Sequence, residues 1–188
     1  MSYSILKKNI STLKEASRDN HNKIDYFMTE SKINIIDFDA VKDDYIRNLK
    51  LKGKPKSNDA LLQSSNGDLA FIEFKNGRID NSLQFSLKRK IFDSLLILTD
   101  IIDIGISHTR NEMDYILVYN ETKNTISDEQ TTKVQVSESR DFIAKELAKL
   151  GGTTHTKFGL EMFKKYCFRD VFTYTEVEFE IFLSKLKI

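Results

Sequence analysis

The feature that most constrains this sequence is a pair of short segments with apolar centres on either side of a polar turn, NDALLQSS and LAFIEFK. LAFIEFK holds two phenylalanines and an isoleucine, which favour strands, and NDALLQSS has the apolar centre Ala60-Leu61-Leu62. Asn66-Gly67-Asp68 stands between them, and asparagine and glycine tolerate the positive φ angles that tight hairpin turns need. The sequence therefore predicts a β-hairpin, with one strand at residues 58–65 and the other at residues 69–75.

The second of these strands is almost uninterruptedly apolar, which is typical of a central strand covered on both faces. Glu73 and Lys75 break the run. Residues two apart on a strand point to the same face, so these two charges share a face, while Ile72 and Phe74 pack on the other. A buried charge is costly unless it has a partner or a metal ion. The pair therefore predicts either a salt bridge or a functional site.

The pairing register decides whether Asp59 joins this pair. A two-residue turn would place Asp59 opposite Phe74, on the wrong face, because a slip of one residue exchanges the two faces of a strand. A loop of residues 66–68 would place Asp59 opposite Lys75. We expect this longer loop or an equivalent bulge. The alternative is an ordinary hairpin, in which Asp59 is a turn residue and Glu73 pairs with Lys75.

Two acids and a lysine that meet at one point suit the hydrolysis of a phosphodiester. That reaction needs an activated water, neutralisation of the charge on phosphorus and a stabilised leaving oxygen. A magnesium ion held by hard oxygen ligands can supply all three, and manganese can replace it. The hairpin therefore predicts a Mg²⁺- or Mn²⁺-dependent nuclease site with Asp59, Glu73 and Lys75 as its catalytic residues.

The pattern of the whole chain indicates one domain of mixed α and β structure. Its 188 residues are enough to form a sizeable core. Apolar spacing and capping residues predict helices at residues 4–26, 37–49, 81–104, 139–150 and 175–186, and a short helix at 158–166. Further strands are predicted at 115–119 and 167–174. The first core strand is either 33–36 or 49–51. The polar stretch at 120–132 is interpreted as a surface loop.

The segment KSNDALLQSSNGDLAFIEFKNG, residues 56–77, resembles the PD-(D/E)xK nuclease superfamily. The resemblance implies an α/β fold with a central mixed sheet and an αβββαβ restriction-endonuclease-like core over residues 4–120, followed here by C-terminal helices. It implies that Asp59 and Glu73 bind the metal and that Lys75 is the catalytic lysine. Asn58 stands where the motif usually has proline.

Members of the superfamily often carry a further acid on the first helix, which completes the metal site. The resemblance points to Glu15 for this role, with Glu30 as the second choice. Residues 12–15 also match a capping-box pattern, so Glu15 has an alternative role as a capping residue or a solvated helix residue.

The expected partner is nucleic acid, DNA more than RNA. The formal net charge is only +1, yet residues 42–90 hold 11 basic and 6 acidic residues. Gln84 and Lys88 lie four apart on a helix that borders the cleft in this fold class, and Lys54 and Lys56 lead into Asp59, so all four are predicted to contact nucleic acid. The alternative for Gln84 and Lys88 is an exposed polar face, which is the favoured interpretation for Arg89 and Lys90. The alternative for Lys54 and Lys56 is an exposed edge protected from aggregation.

Other constellations are weak. A single cysteine, Cys167, excludes an intramolecular disulfide, and the three histidines lack the spacing of a zinc site. No long apolar run or leader-like N-terminus is present, so we expect no membrane contact and a cytoplasmic location. A bacterial or phage protein fits, in defence, repair or restriction, and a homodimer stays open. The main rival to a nuclease is a catalytically inactive binding module of the same fold.

Overall fold

The computed structural model describes residues 4–19, 25–65, 67–125 and 156–186. The elements follow one another in chain order as α1 (Ser4–Lys8), β1 (Ile10–Thr12), α2 (Leu13–Ala16), β2 (Arg18–Asp19), β3 (Tyr26–Phe27), β4 (Asn34–Asp37), α3 (Phe38–Leu49), β5 (Ala60–Gln63), β6 (Leu69–Lys75), α4 (Asn81–Ile102), α5 (Ile106–Glu112), β7 (Met113–Tyr119), α6 (Glu121–Asn124), a 3-10 helix (Glu161–Phe163), β8 (Asp170–Thr175) and α7 (Glu176–Lys185).

The framework is a six-stranded mixed sheet in the order β1-β4-β5-β6-β7-β8, with β2 and β3 forming a separate two-stranded sheet. The pairs from β1 to β6 are antiparallel, whereas β6, β7 and β8 are parallel. The crossover between parallel β6 and β7 runs through α4, as parallel neighbours require. This architecture confirms the predicted class, an α/β fold around a central mixed sheet.

Helices cover both faces of the sheet, so the central strands are buried on each side. One apolar cluster joins residues of α1, α3 and α4 to one face, and Phe71, Leu87 and Tyr115 are among its members. The second cluster joins α2 and α7 to the opposite face, which carries Ile72 and Phe74. The prediction that β6 is a central strand with Ile72 and Phe74 on one side is confirmed.

Helix α4 follows the predicted pattern closely. The Asp80 side chain caps its start by accepting a hydrogen bond from the Leu83 N–H at 2.8 Å. The apolar residues whose spacing predicts this helix face the sheet, and Leu87, Ile91 and Leu98 among them are fully buried. The last helix begins at a reciprocal capping box formed by Thr175 and Glu178.

The predicted first helix, at residues 4–26, is wrong. Its apolar residues do recur at helical spacing, but Ile10–Thr12 instead forms the edge strand β1, which pairs with β4. Thr12 then caps the four-residue helix α2 by accepting a hydrogen bond from the Glu15 N–H. Sheet pairing here outweighs local helical preference, which is only a weak determinant of structure.

Several boundaries also differ from prediction. Of the two segments considered for the first core strand, residues 33–36 largely coincide with β4, whereas residues 49–51 do not form a strand. Helix α3 stands between this strand and the hairpin. Only a 3-10 turn, Glu161–Phe163, forms within 158–166, and the strand predicted at 167–174 is Asp170–Thr175. The helix predicted at 139–150 lies outside the described residues.

Within the part of the chain that the structure describes, no helix combines the length and apolar character that crossing a membrane requires.

Candidate active site

The hairpin of β5 and β6 has a register different from the one expected. Ala60 pairs with Ile72 and Gln63 with Leu69, so continuing the ladder by one residue places Asp59 opposite Glu73. The predicted pairing of Asp59 with Lys75 is wrong, because the turn closes earlier, with the Ser64 N–H donating to the Asp68 carbonyl. The shift is two residues, an even number, so Asp59 keeps the predicted face.

Four charged groups meet on the face that carries α4. The Lys75 ammonium lies 2.6 Å from Glu73 Oε1. The Lys90 ammonium, from α4, lies 2.6 Å from the same oxygen and 3.0 Å from Asp59 Oδ1. Asp59 Oδ2 accepts a hydrogen bond from the Phe74 N–H at 2.7 Å. The two carboxylates are therefore joined by one ammonium nitrogen that donates to both.

The segment before Asp59 is tied to α4, and this brings Asp59 to Lys90. The Lys56 N–H donates to Asp93 Oδ2 and its ammonium donates to Ser86, both on α4. The Asn58 N–H donates to the buried hydroxyl of Ser94 at 2.8 Å. These bonds fix the irregular segment of residues 56–58, which leads into Asp59 just before β5 begins.

Glu73 lies in an environment that disfavours its charge. The residue is fully buried, and burial together with the neighbouring Asp59 raises its pKa, although the charges of Lys90 and Lys75 act in the opposite direction. Its Oε2 atom is buried and accepts no hydrogen bond from any described residue. A buried carboxylate oxygen without a partner is costly, so it calls for an explanation such as a bound ion or water.

Tyr115, on β7, is a further member of this environment that sequence reasoning missed. Its hydroxyl is buried and has no hydrogen-bond partner among the described residues. Burial raises the pKa of the phenol well above its usual value, and the negative charges of Glu73 and Asp59 raise it further. The phenol therefore stays protonated.

The sequence favours an exposed position for Lys90, and that interpretation is wrong. Its side chain is only 17% exposed. A signal was present in the spacing, because Lys90 and Ser94 fall in helical register with Leu87 and Ile97, all on the sheet-facing side of α4. Burial opposes the charge on Lys90, but Glu73 and Asp59 outweigh this and raise its pKa.

The raised pKa of Lys90 predicts a pH dependence of stability. Because the folded-state pKa lies above the unfolded value of about 10.4, the ion pairs contribute fully below that pH and are lost as the pH rises towards the folded-state pKa. In metal-free buffer, we expect the difference in unfolding free energy between wild type and Lys90→Met to be constant from about pH 7 to 9 and then to fall by up to about 1.4 kcal/mol per pH unit. Urea unfolding across this range measures it, with Arg89→Met as the control. A difference that already falls between pH 6 and 8 would contradict the assignment.

A cleft of about 810 Å³ opens beside the cluster, and Asp59 and Lys75 line it. Glu15 stands on the same cleft as an exposed residue of α2. Within the described ranges, however, no three acidic, histidine or cysteine side chains are grouped closely enough to hold a metal ion, so Glu15 does not meet Asp59 and Glu73 in one group. The second choice, Glu30, forms a surface ion pair with Lys14.

The predicted nucleic-acid contacts lie in two places. Lys54 is exposed and precedes the hairpin, while Lys56 is held against α4 as described above. Gln84 and Lys88 lie beside the Gly159 turn, where a methyl group on Gly159 would be 3.4 Å from the Lys88 ammonium. The cleft is lined instead by three other basic residues, Arg18, Lys75 and Lys123.

Comparisons with known protein families, with curated proteins and with solved structures found no match. The function therefore has to be argued from the chemistry of the cluster and its cleft.

Proposed function

We propose that this protein is a metal-dependent nuclease that hydrolyses phosphodiester bonds, DNA more readily than RNA. The single observation that carries the proposal is the pair of carboxylates, Asp59 and Glu73, which share one cation at the end of a central hairpin with Lys75 alongside. A salt bridge does not explain why Glu73 is fully buried while its Oε2 has no partner among the described residues. A bound metal ion would account for both the burial and the open oxygen.

The donor set fits Mg²⁺ or Mn²⁺. Asp59 Oδ1 and Glu73 Oε1 already converge on one positive charge, and Glu73 Oε2 is available as a further ligand. Asp59 and Glu73 would hold the ion through these carboxylate oxygens. Magnesium retains several waters in such sites, so two protein carboxylates are a sufficient anchor.

Lys75 is suited to act on the attacking water or on the phosphate. Its side chain is 20% exposed and lines the cleft, unlike the fully buried Glu73 with which it forms a salt bridge. A lysine in this position can orient a water molecule or stabilise the negative charge that develops on the phosphate. When bound, the metal would supply Lewis acidity and lower the pKa of a coordinated water.

The charges along the cleft also favour a divalent cation as part of the substrate site. The lining includes five acidic residues, Glu15, Asp19, Asp37, Asp39 and Asp59, against three basic ones. A polyanion is repelled by such a surface unless cations reduce its negative charge. A strict metal requirement for nucleic-acid binding in this cleft follows from the proposal.

The proposal is tested by cleavage assays on plasmid DNA, single-stranded DNA and RNA, each with Mg²⁺ or with EDTA. We expect wild type to cleave only with the metal. Lys75→Met should lower the rate by about 10²- to 10⁴-fold, the range typical for loss of a general acid–base group, and should leave metal binding in place. Lys52→Met, at an exposed position outside the cleft, is the control. Equal rates for wild type and Lys75→Met would rule out the proposed role.

A second candidate is a binding module of the same fold without catalysis. Two observations favour it: no third metal-binding side chain joins the carboxylates in the described residues, and the two lysines neutralise both acids without a metal. Under this alternative, neither Mg²⁺ nor Mn²⁺ would raise the melting temperature, because a ligand stabilises only the state that it binds.

A further inference from the structure

We propose that Lys90 is a built-in counter-cation, which occupies the metal position in the metal-free protein and must leave it when a divalent ion binds. This inference rests on the proposed function and deepens it. It assigns to a residue of α4 the control of metal affinity, a role distinct from those of Asp59, Glu73 and Lys75.

The first argument for displacement is the position of the Lys90 ammonium. It lies between the two carboxylates, 2.6 Å from Glu73 Oε1 and 3.0 Å from Asp59 Oδ1, and it is the group that joins them. Lys75 contacts only Glu73 among the acids of the site. A metal ion bound by both acids would therefore have to take the place of Lys90, not that of Lys75.

The second argument is the charge balance of the cluster formed by Asp59, Glu73, Lys75 and Lys90. With both acids ionised and both lysines protonated, the cluster is formally neutral, so the metal-free protein tolerates its burial. A divalent ion placed beside an unmoved Lys90 would bring three positive charges into contact in a buried space, where repulsion is weakly screened. Displacing the Lys90 ammonium removes this repulsion and opens Asp59 Oδ1 and Glu73 Oε1 to the metal, with Lys75 still paired to Glu73 Oε1.

The third argument is the length and flexibility of the Lys90 side chain. Lysine has four flexible methylenes and a strongly hydrated ammonium, so its charge can move several ångströms towards water while its Cα stays fixed on the helix. Part of the Lys90 side chain, 17% of it, is already exposed to solvent. Metal binding thus replaces the Lys90 ammonium with the metal ion. The free energy lost with the Lys90 ion pairs lowers the net affinity for the metal.

The first test is calorimetric titration of the metal-free protein with MnCl₂. Lys90→Met keeps the length and apolar part of the side chain but removes the competing charge. We expect Mn²⁺ to bind Lys90→Met about tenfold more tightly than wild type or more. The control Arg89→Met, on the same helix with an exposed side chain, should bind as wild type does. Lys90→Gln, which retains a neutral donor, is expected to fall between them and serves if Lys90→Met does not fold.

The second test uses wild type alone and asks whether Lys90 leaves its ion pairs when the metal binds. Reductive methylation of lysines, followed by mass spectrometry, reports how much of each side chain is present as an accessible free amine. We expect Mn²⁺ to increase the rate at Lys90 several-fold, while the rate at exposed Lys52 stays constant. A rate at Lys90 that is unchanged or lower when Mn²⁺ is bound would overturn the inference.

The failures of the two proposals are distinguishable. Metal-dependent cleavage by wild type, combined with equal Mn²⁺ affinity in wild type and Lys90→Met, overturns the role of Lys90 and leaves the nuclease standing. Absence of both Mn²⁺ binding and cleavage in wild type overturns both.

Discussion

Glu73→Gln is expected to lower the rate of Mg²⁺-dependent cleavage by on the order of 10³-fold or more, because it removes a charged metal ligand from the proposed site. The substitution keeps the shape of the side chain. Its effect on the free energy of unfolding should stay within about 2 kcal/mol, since burial and Asp59 disfavour the charge that is removed while the two lysines favour it. Activity should therefore be lost in a protein that is still folded.

Cleavage rates and urea unfolding of the same preparations measure these two effects. Glu121→Gln, which changes an exposed acid on α6 in the same way, is the matched control and should match wild type in both. Cleavage by Glu73→Gln within tenfold of wild type would show that Glu73 does not hold the metal. If Glu73→Gln is inactive because it is unfolded, the same comparison is made with Asp59→Asn. Asp59 is less buried than Glu73, so its substitution disturbs the fold less.

Phe71→Ala is expected to destabilise the protein by about 3–5 kcal/mol, the usual cost of removing a buried aromatic ring. Phe71 is completely buried on β6, on the same face of the sheet as Glu73. Its ring packs edge-to-face against Phe38 of α3, with centroids 4.8 Å apart, and against Phe168 at 6.4 Å. The ring thus connects the hairpin to elements from both halves of the chain.

Urea unfolding followed by circular dichroism gives this difference. Phe85→Ala is a matched control, because Phe85 is 72% exposed on α4, and we expect it to change the stability by no more than about 0.5 kcal/mol. Similar effects for the two substitutions would contradict the placement of β6 at the centre of a two-sided core.

The hairpin and its shared face could be predicted from sequence because both depend on alternation. Glu73 and Lys75 must point the same way whatever the register, and Ile72 and Phe74 must point the other way. The register itself depends on where the turn closes, and here the Ser64–Asp68 pairing moves Asp59 from opposite Lys75 to opposite Glu73. Local sequence does not distinguish two registers that preserve the same faces.

Lys90 was missed for a different reason. A lysine in a run of three basic residues is usually solvated, and only its partners on the sheet justify burying it. Those partners, Asp59 and Glu73, are 31 and 17 residues away in sequence, so the pairing is a product of how α4 packs on the hairpin. The edge strand β1 was missed likewise, since its hydrogen bonds are made to β4, far along the chain.

The most direct test of the central claim is the anomalous scattering of manganese in crystals of wild type grown with MnCl₂. The proposal predicts an anomalous peak within about 2.5 Å of carboxylate oxygens from both Asp59 and Glu73. A fully ordered site with no peak there, or with manganese bound only to other acids of the cleft, would contradict it.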